Sequence, residues 1–95
     1  MAQFRIAHIR EQGQDMIIVP LEDSFRYKSN REQNEIRAAL QMCARGAGLA
    51  GTVVPVWDAG GGRMGFLAPQ LWQPFFSGLD LAWVAANINK TLTCD

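Results

Sequence analysis

From Gly46 to Leu79 the chain runs 34 residues with only two charged side chains, Asp58 and Arg63. A small soluble domain keeps much of its outer surface polar, so a stretch of this length must be buried against something. Its apolar residues are bulky: Val53, Val54, Val56, Trp57, Phe66, Trp72, Phe75 and Phe76. Any fold open to this chain has to cover both the strand-forming and the aromatic parts of that run.

The pattern around it supplies the elements. Phe4 to Ile9 alternates with period two, and Met16 to Leu21 is a β-branched apolar run of strand length, with Gly13 between them. That spacing predicts a hairpin, with Pro20 at a strand end because it has no N–H for a ladder. Ser29-Asn30-Arg31-Glu32 is a capping box, followed by an apolar stripe of Ile36, Ala39, Leu40, Cys43 and Ala47. A second hairpin is expected over Thr52–Trp57 and Arg63–Ala68, closed by Gly60-Gly61-Gly62, with Asp58 and Arg63 facing each other at its neck. Ser77 to Asp80 repeats the capping pattern and predicts a last helix running to about Thr91.

These elements give an α+β class, a single domain over residues 1–95, and the order ββαββα. The expected architecture has two layers, a mainly antiparallel four-stranded sheet packed with two helices. The halves 1–47 and 48–95 also align at an offset of 48 residues. Ile6 then meets Val54, Gly13 meets Gly61, Met16 meets Met64 and Ile36 meets Val84, a pattern consistent with an internal ββα duplication.

An antiparallel sheet with one wet face alternates apolar with polar residues. Three of the four expected strands do not. Val54 and Val56 point one way and Val53, Pro55 and Trp57 the other; Met16 and Ile18 oppose Ile17, Val19 and Leu21. Two helices cover one face of such a sheet, so the second face needs the 70–76 segment, a helix on each side, or another polypeptide. On the last helix Trp83 lies roughly 160° from the stripe of Leu81, Val84, Ala85, Ile88 and Leu92, counting 100° per residue. A tryptophan there, beside Ala82, Ala86, Asn87 and Lys90, resembles an interface anchor. The expectation is a non-enzymatic protein-interaction or assembly module. It would act as a homodimer or with a protein partner, using Trp83, Trp57, Trp72, Phe75, Phe76 and Asn87. A small-ligand domain with a cavity lined by the aromatics is a further alternative.

Charge supports no strong electrostatic partner: nine basic residues balance nine acidic ones. A small nucleic-acid-binding protein is the alternative carried by Phe25, Arg26, Tyr27, Lys28 and Arg31, which combine positive charge with stacking surface. Glu22, Asp23, Glu32 and Glu35 surround that cluster and weigh against it. No apolar run reaches the roughly 18–20 residues of a membrane span, and Arg5 and His8 interrupt the first apolar stretch, so no signal peptide is expected. Cys43 and Cys94 are then expected as free thiols in a reducing, cytoplasmic setting.

Catalytic motifs are weak. Gly46-Ala47-Gly48-Leu49-Ala50-Gly51 has the spacing of a dinucleotide loop but follows a helix and enters a strand, the reverse of what a pyrophosphate needs. One histidine and two cysteines 51 residues apart give no metal-ligand spacing. His8 shares a strand face with Phe4 and Ile6, and Cys43 sits in an apolar stripe. No catalytic residue, cofactor or metal is expected.

Overall fold

Strands that are apolar on both faces need cover on both faces, and this fold supplies it with helices on either side of one sheet. The computed structural model describes residues 2–94. It contains β1 (Ala2–Glu11), β2 (Gln14–Pro20), α1 (Asn30–Gly46), β3 (Thr52–Gly60), β4 (Arg63–Phe66), α2 (Gln73–Ser77), α3 (Leu81–Ala86) and β5 (Lys90–Cys94). Short 3-10 turns span Asp23–Tyr27 and Gln70–Trp72. The sheet is five-stranded in the order β4-β3-β2-β1-β5.

Both hairpins form where the turn residues require them. Gln12 and Gly13 have φ of 51° and 76°, and Gly61 and Gly62 have 62° and 76°. Two successive positive φ values let a two-residue turn follow the strand twist. At the second neck, a register shift between Asp58 and Gly60 places Arg63 opposite Gly60 and Asp58 opposite Met64. The expected Asp58–Arg63 pair is therefore not made. An Asp58 carboxylate oxygen instead accepts from the Gly60 N–H at 2.8 Å, closing a local turn.

The sheet departs from the antiparallel four-stranded expectation at its centre. β2 and β3 run parallel, Met16 beside Thr52 through Pro20 beside Val56. Helix α1 is the connection that returns the chain to start β3 in the same direction, as parallel pairing demands. It lies on one face over Ile6, Ile17, Val19, Val53 and Leu92, with Leu40 and Ala44 pointing down. The opposite face, with Ala7, Met16, Ile18, Val54 and Val56, is covered by Phe76 and Val84 from α2 and α3. The two halves share the order strand–strand–helix, but α1 has 17 residues and α3 six, and they pack on opposite faces.

Helix α1 starts as the capping box requires. Ser29 Oγ accepts from the Glu32 N–H at 3.1 Å, and Glu32 accepts from the Ser29 N–H at 3.2 Å. The Ser29 N–H foremost, and then the Ser29 hydroxyl donating to Glu32 Oε1 at 3.1 Å, hold the Glu32 carboxyl below its ordinary range. The second expected box does not form. Ser77 ends α2 and donates its hydroxyl to the Gln73 carbonyl. The α3 cap is Asp80, which accepts from the Trp83 N–H at 2.8 Å.

The last helix is also shorter than its apolar stripe implies. It stops at Ala86, and residues 90–94 form β5, antiparallel to β1. Thr91 and Thr93 favour a strand, and Leu92 turns into the α1-side core. Asn89 joins the two strands before the ladder begins: its amide donates to the His8 carbonyl at 2.8 Å and accepts from the His8 N–H at 2.9 Å. Strand β5 carries Cys94 to within 5.7 Å of Cys43 between Cα atoms, and the two form a disulfide. The free-thiol expectation is corrected accordingly. That expectation rests on the compartment alone, and the pairing depends on β5, a strand that the helical stripe concealed.

Two consequences can be measured. The disulfide closes a 51-residue separation, for which loop-closure entropy gives about 4 kcal/mol of stabilisation. Cys94→Ser, or added reductant, should lower the urea midpoint, and the untreated chain should show no free thiol when denatured; an unchanged midpoint would refute the stabilising role. At Gly65 an added Cβ would lie 2.3 Å from the Trp57 indole, and Trp57 is only 8% exposed. Gly65→Ala should cost about 1–3 kcal/mol in chemical denaturation, whereas Gly46→Ala, which meets nothing within 4 Å, should be close to neutral.

Candidate interaction surface

The layer opposite α1 is built from short pieces because prolines and glycine punctuate it. Pro69 precedes the 3-10 turn, Pro74 occupies the first turn of α2, and Gly78 ends it. The result folds a dense aromatic set onto the sheet. Phe76 is 1% exposed and tilts against Phe66 at 5.7 Å between centroids. Phe75 meets Phe76 edge-on at 5.3 Å and Trp83 edge-on at 6.1 Å, an arrangement that suits the ring quadrupoles.

Apolar side chains remain open on the surface of this layer, as they do on α1, where Met42 is 74% exposed. Leu71 is 91% exposed, and Trp72, Phe75 and Trp83 are half-buried. No charged residue occurs between Arg63 and Asp80. Leu71 was not among the residues singled out by sequence: it sits in an irregular stretch where no periodicity assigns it a face.

The six interface candidates are thus separated. Trp72, Phe75 and Trp83 belong to the same aromatic layer. Phe76 lies beneath it in the core. Asn87 caps α3, its side-chain amide donating to the Trp83 carbonyl at 2.8 Å. Trp57 points to the other face of the sheet, buried against Phe25 at 4.8 Å between centroids.

The basic cluster divides as well. Phe25 is 3% exposed and belongs to the core. Tyr27 is 75% exposed, with the Arg26 guanidinium 4.7 Å above its ring, and Arg26 also donates to the Tyr27 hydroxyl. Lys28 is exposed, and Arg31 pairs with Glu35 at 3.1 Å along α1. The open part of this cluster is therefore Arg26, Tyr27 and Lys28, with one aromatic face already occupied by its neighbour.

No reactive constellation gathers elsewhere among the described residues. His8 is half-buried, its Nε2 2.8 Å from the Ala50 carbonyl oxygen, so Nε2 carries the proton that it donates there. Cys43 is committed to the disulfide. Among the described residues no group of three His, Cys, Asp or Glu could hold a metal ion, and no helix is long and apolar enough to cross a membrane. Set against protein-family models, curated proteins and solved structures, the chain matches none.

Proposed function

We propose that this protein is a non-enzymatic protein-interaction module that assembles through the outer surface of its α2–α3 layer, most simply as a twofold homodimer. The observation that carries the reading is Leu71, 91% exposed within an uncharged segment and next to half-buried Trp72. An open leucine costs little alone, but one set beside half-buried aromatics has the make-up of an interface centre. Phe75 and Trp83 already hold each other edge-on, so the surface is ordered before a partner arrives and little side-chain entropy is lost on contact. A twofold contact would place each Leu71 against the aromatics of its partner.

The free-thiol expectation is a consequence of a reducing, cytoplasmic setting; the Cys43–Cys94 disulfide points instead to oxidising surroundings, where such bonds mainly persist.

Leu71→Asp tests the proposal. Leu71 is exposed, so the substitution should change folding stability by no more than about 0.5 kcal/mol. Light scattering at micromolar concentration should give a dimer mass for the unmodified chain and a monomer mass for the variant. A monomer in both cases, or a dimer in both, would reject assembly through this surface.

A further inference from the structure

Strand β1 changes partners along its length. Residues 7–11 pair with β2, and residues 2–6 pair with β5. The β1–β2 register ends at Ala7 opposite Ile18; two positions on, Arg5 falls opposite Pro20. Proline has no N–H, so the ladder cannot continue there. The end of β2 is drawn the other way: Pro20 stays beside Val56 of β3, and the Leu21 N–H donates to the Val56 carbonyl at 2.8 Å. The sheet parts between β1 and β2, and a cleft of about 830 Å³ opens at that point.

The cleft runs between the two cores. Phe4, Leu21 and Ile36 line it on the α1 side, and Leu81, Val84 and Ala85 on the α3 side. Main-chain groups of β1 are turned into it. The Ile6 carbonyl accepts from the Asn89 N–H, and both main-chain groups of His8 bond the Asn89 side chain. The main-chain groups of even-numbered β1 residues therefore face β5, and by strand alternation the carbonyls of Gln3 and Arg5 face the cleft, Arg5 where the β1–β2 ladder stops. Pro20 has no donor to offer the Arg5 carbonyl.

The rim is charged but balanced. Arg5 and Lys28 stand with Glu22 and Asp58, and the ion pairs among the described residues are elsewhere, Arg10 with Asp15 and Arg31 with Glu35. Two cations and two anions leave no excess charge to offset that of an ionised ligand entering apolar walls. The volume falls in the range of small-molecule sites, which are apolar with a few placed polar groups. We propose that this cleft is a binding site for an uncharged amphipathic small molecule, whose apolar body lies between α1 and α3 and whose O–H or N–H donates to the Arg5 carbonyl. The site is separate from the Leu71 surface.

A matched pair of dyes tests it. N-phenyl-1-naphthylamine is uncharged and carries one N–H; its anilinonaphthalene sulfonate counterpart adds an anion to the same rings. The uncharged dye should bind the full chain with one-to-one saturation, about tenfold or more tighter than the sulfonate. Ala85→Trp, which fills the cleft, should weaken it about tenfold or more, while Leu71→Asp leaves it unchanged. Because Ala85→Trp could disturb α3, amide and methyl NMR shifts of the unmodified chain give a second reading, and they should centre on Arg5, Leu21 and Ala85. The proposal is overturned by no saturable binding, by equal or tighter binding of the sulfonate, or by shifts centred on Leu71 and Trp72. Dye release as the protein self-associates would show that a second copy fills the cleft, and would overturn it equally.

Discussion

The parallel contact between β2 and β3 is the constraint on which the rest depends. Two strands joined through a helix and running the same way leave that helix on one face of the sheet, and α1 covers only that face. Ile18, Val54 and Val56, on the other face, would then meet water. The chain after β4 answers this by folding back as α2 and α3. The long uncharged segment is thus mostly an internal requirement: a sheet sandwiched between helices has no wet face, and its central strands read as nearly continuous apolar runs.

Small polar devices hold this sandwich at points where the regular ladders fail. Gln41, on the flank of α1, donates to the Gly51 carbonyl at 3.0 Å and accepts from the Val53 N–H at 2.8 Å. One side chain thereby ties the helix to the start of β3. Gln33 does similar service, its amide donating to the Phe25 carbonyl inside the core at 3.0 Å. Gly51 has φ of 125°, and an added Cβ there would lie 2.6 Å from the Asp15 carbonyl oxygen, so only glycine lets the loop pass this close to β2. Asn89 bridges β1 and β5 in the same spirit. Each device satisfies main-chain groups that no strand partner reaches.

Local signals carried well where they act over a few residues. The Ser29 and Glu32 cap and the turn at Gly13 stand as the spacing implies, while the α1 stripe holds at Ile36, Leu40 and Cys43 but not at Ala39 and Ala47, which are exposed where Gln33 and Ala44 are buried instead. Failures occurred where two readings shared one pattern. Leu81, Val84, Ala85, Ile88 and Leu92 fit a helical stripe, yet Asn87 ends the helix and Leu92 belongs to a strand. Ser77 and Asp80 both fit an N-cap; only the packing of Phe76 beneath α2 separates them. Of the candidate site residues, Trp72, Phe75 and Trp83 lie in one layer, while Trp57 is on the opposite face. Strand parity alone put Trp57 away from Val54 and Val56, but not on a particular side of the molecule.

By itself, the sequence determined that both sheet faces would be apolar, because Val53, Val54, Ile17 and Ile18 occupy consecutive positions and period two sends them to opposite sides. It also determined the α+β class, both hairpins and the start of α1, since turn and cap chemistry acts within four residues. Tertiary structure alone decided the parallel pairing, the fifth strand, the Cys43–Cys94 cross-link, the exposure of Leu71 and the opening beside Pro20. Each of those depends on which distant segments meet. Meeting is settled by the summed burial of two cores and not by any local preference.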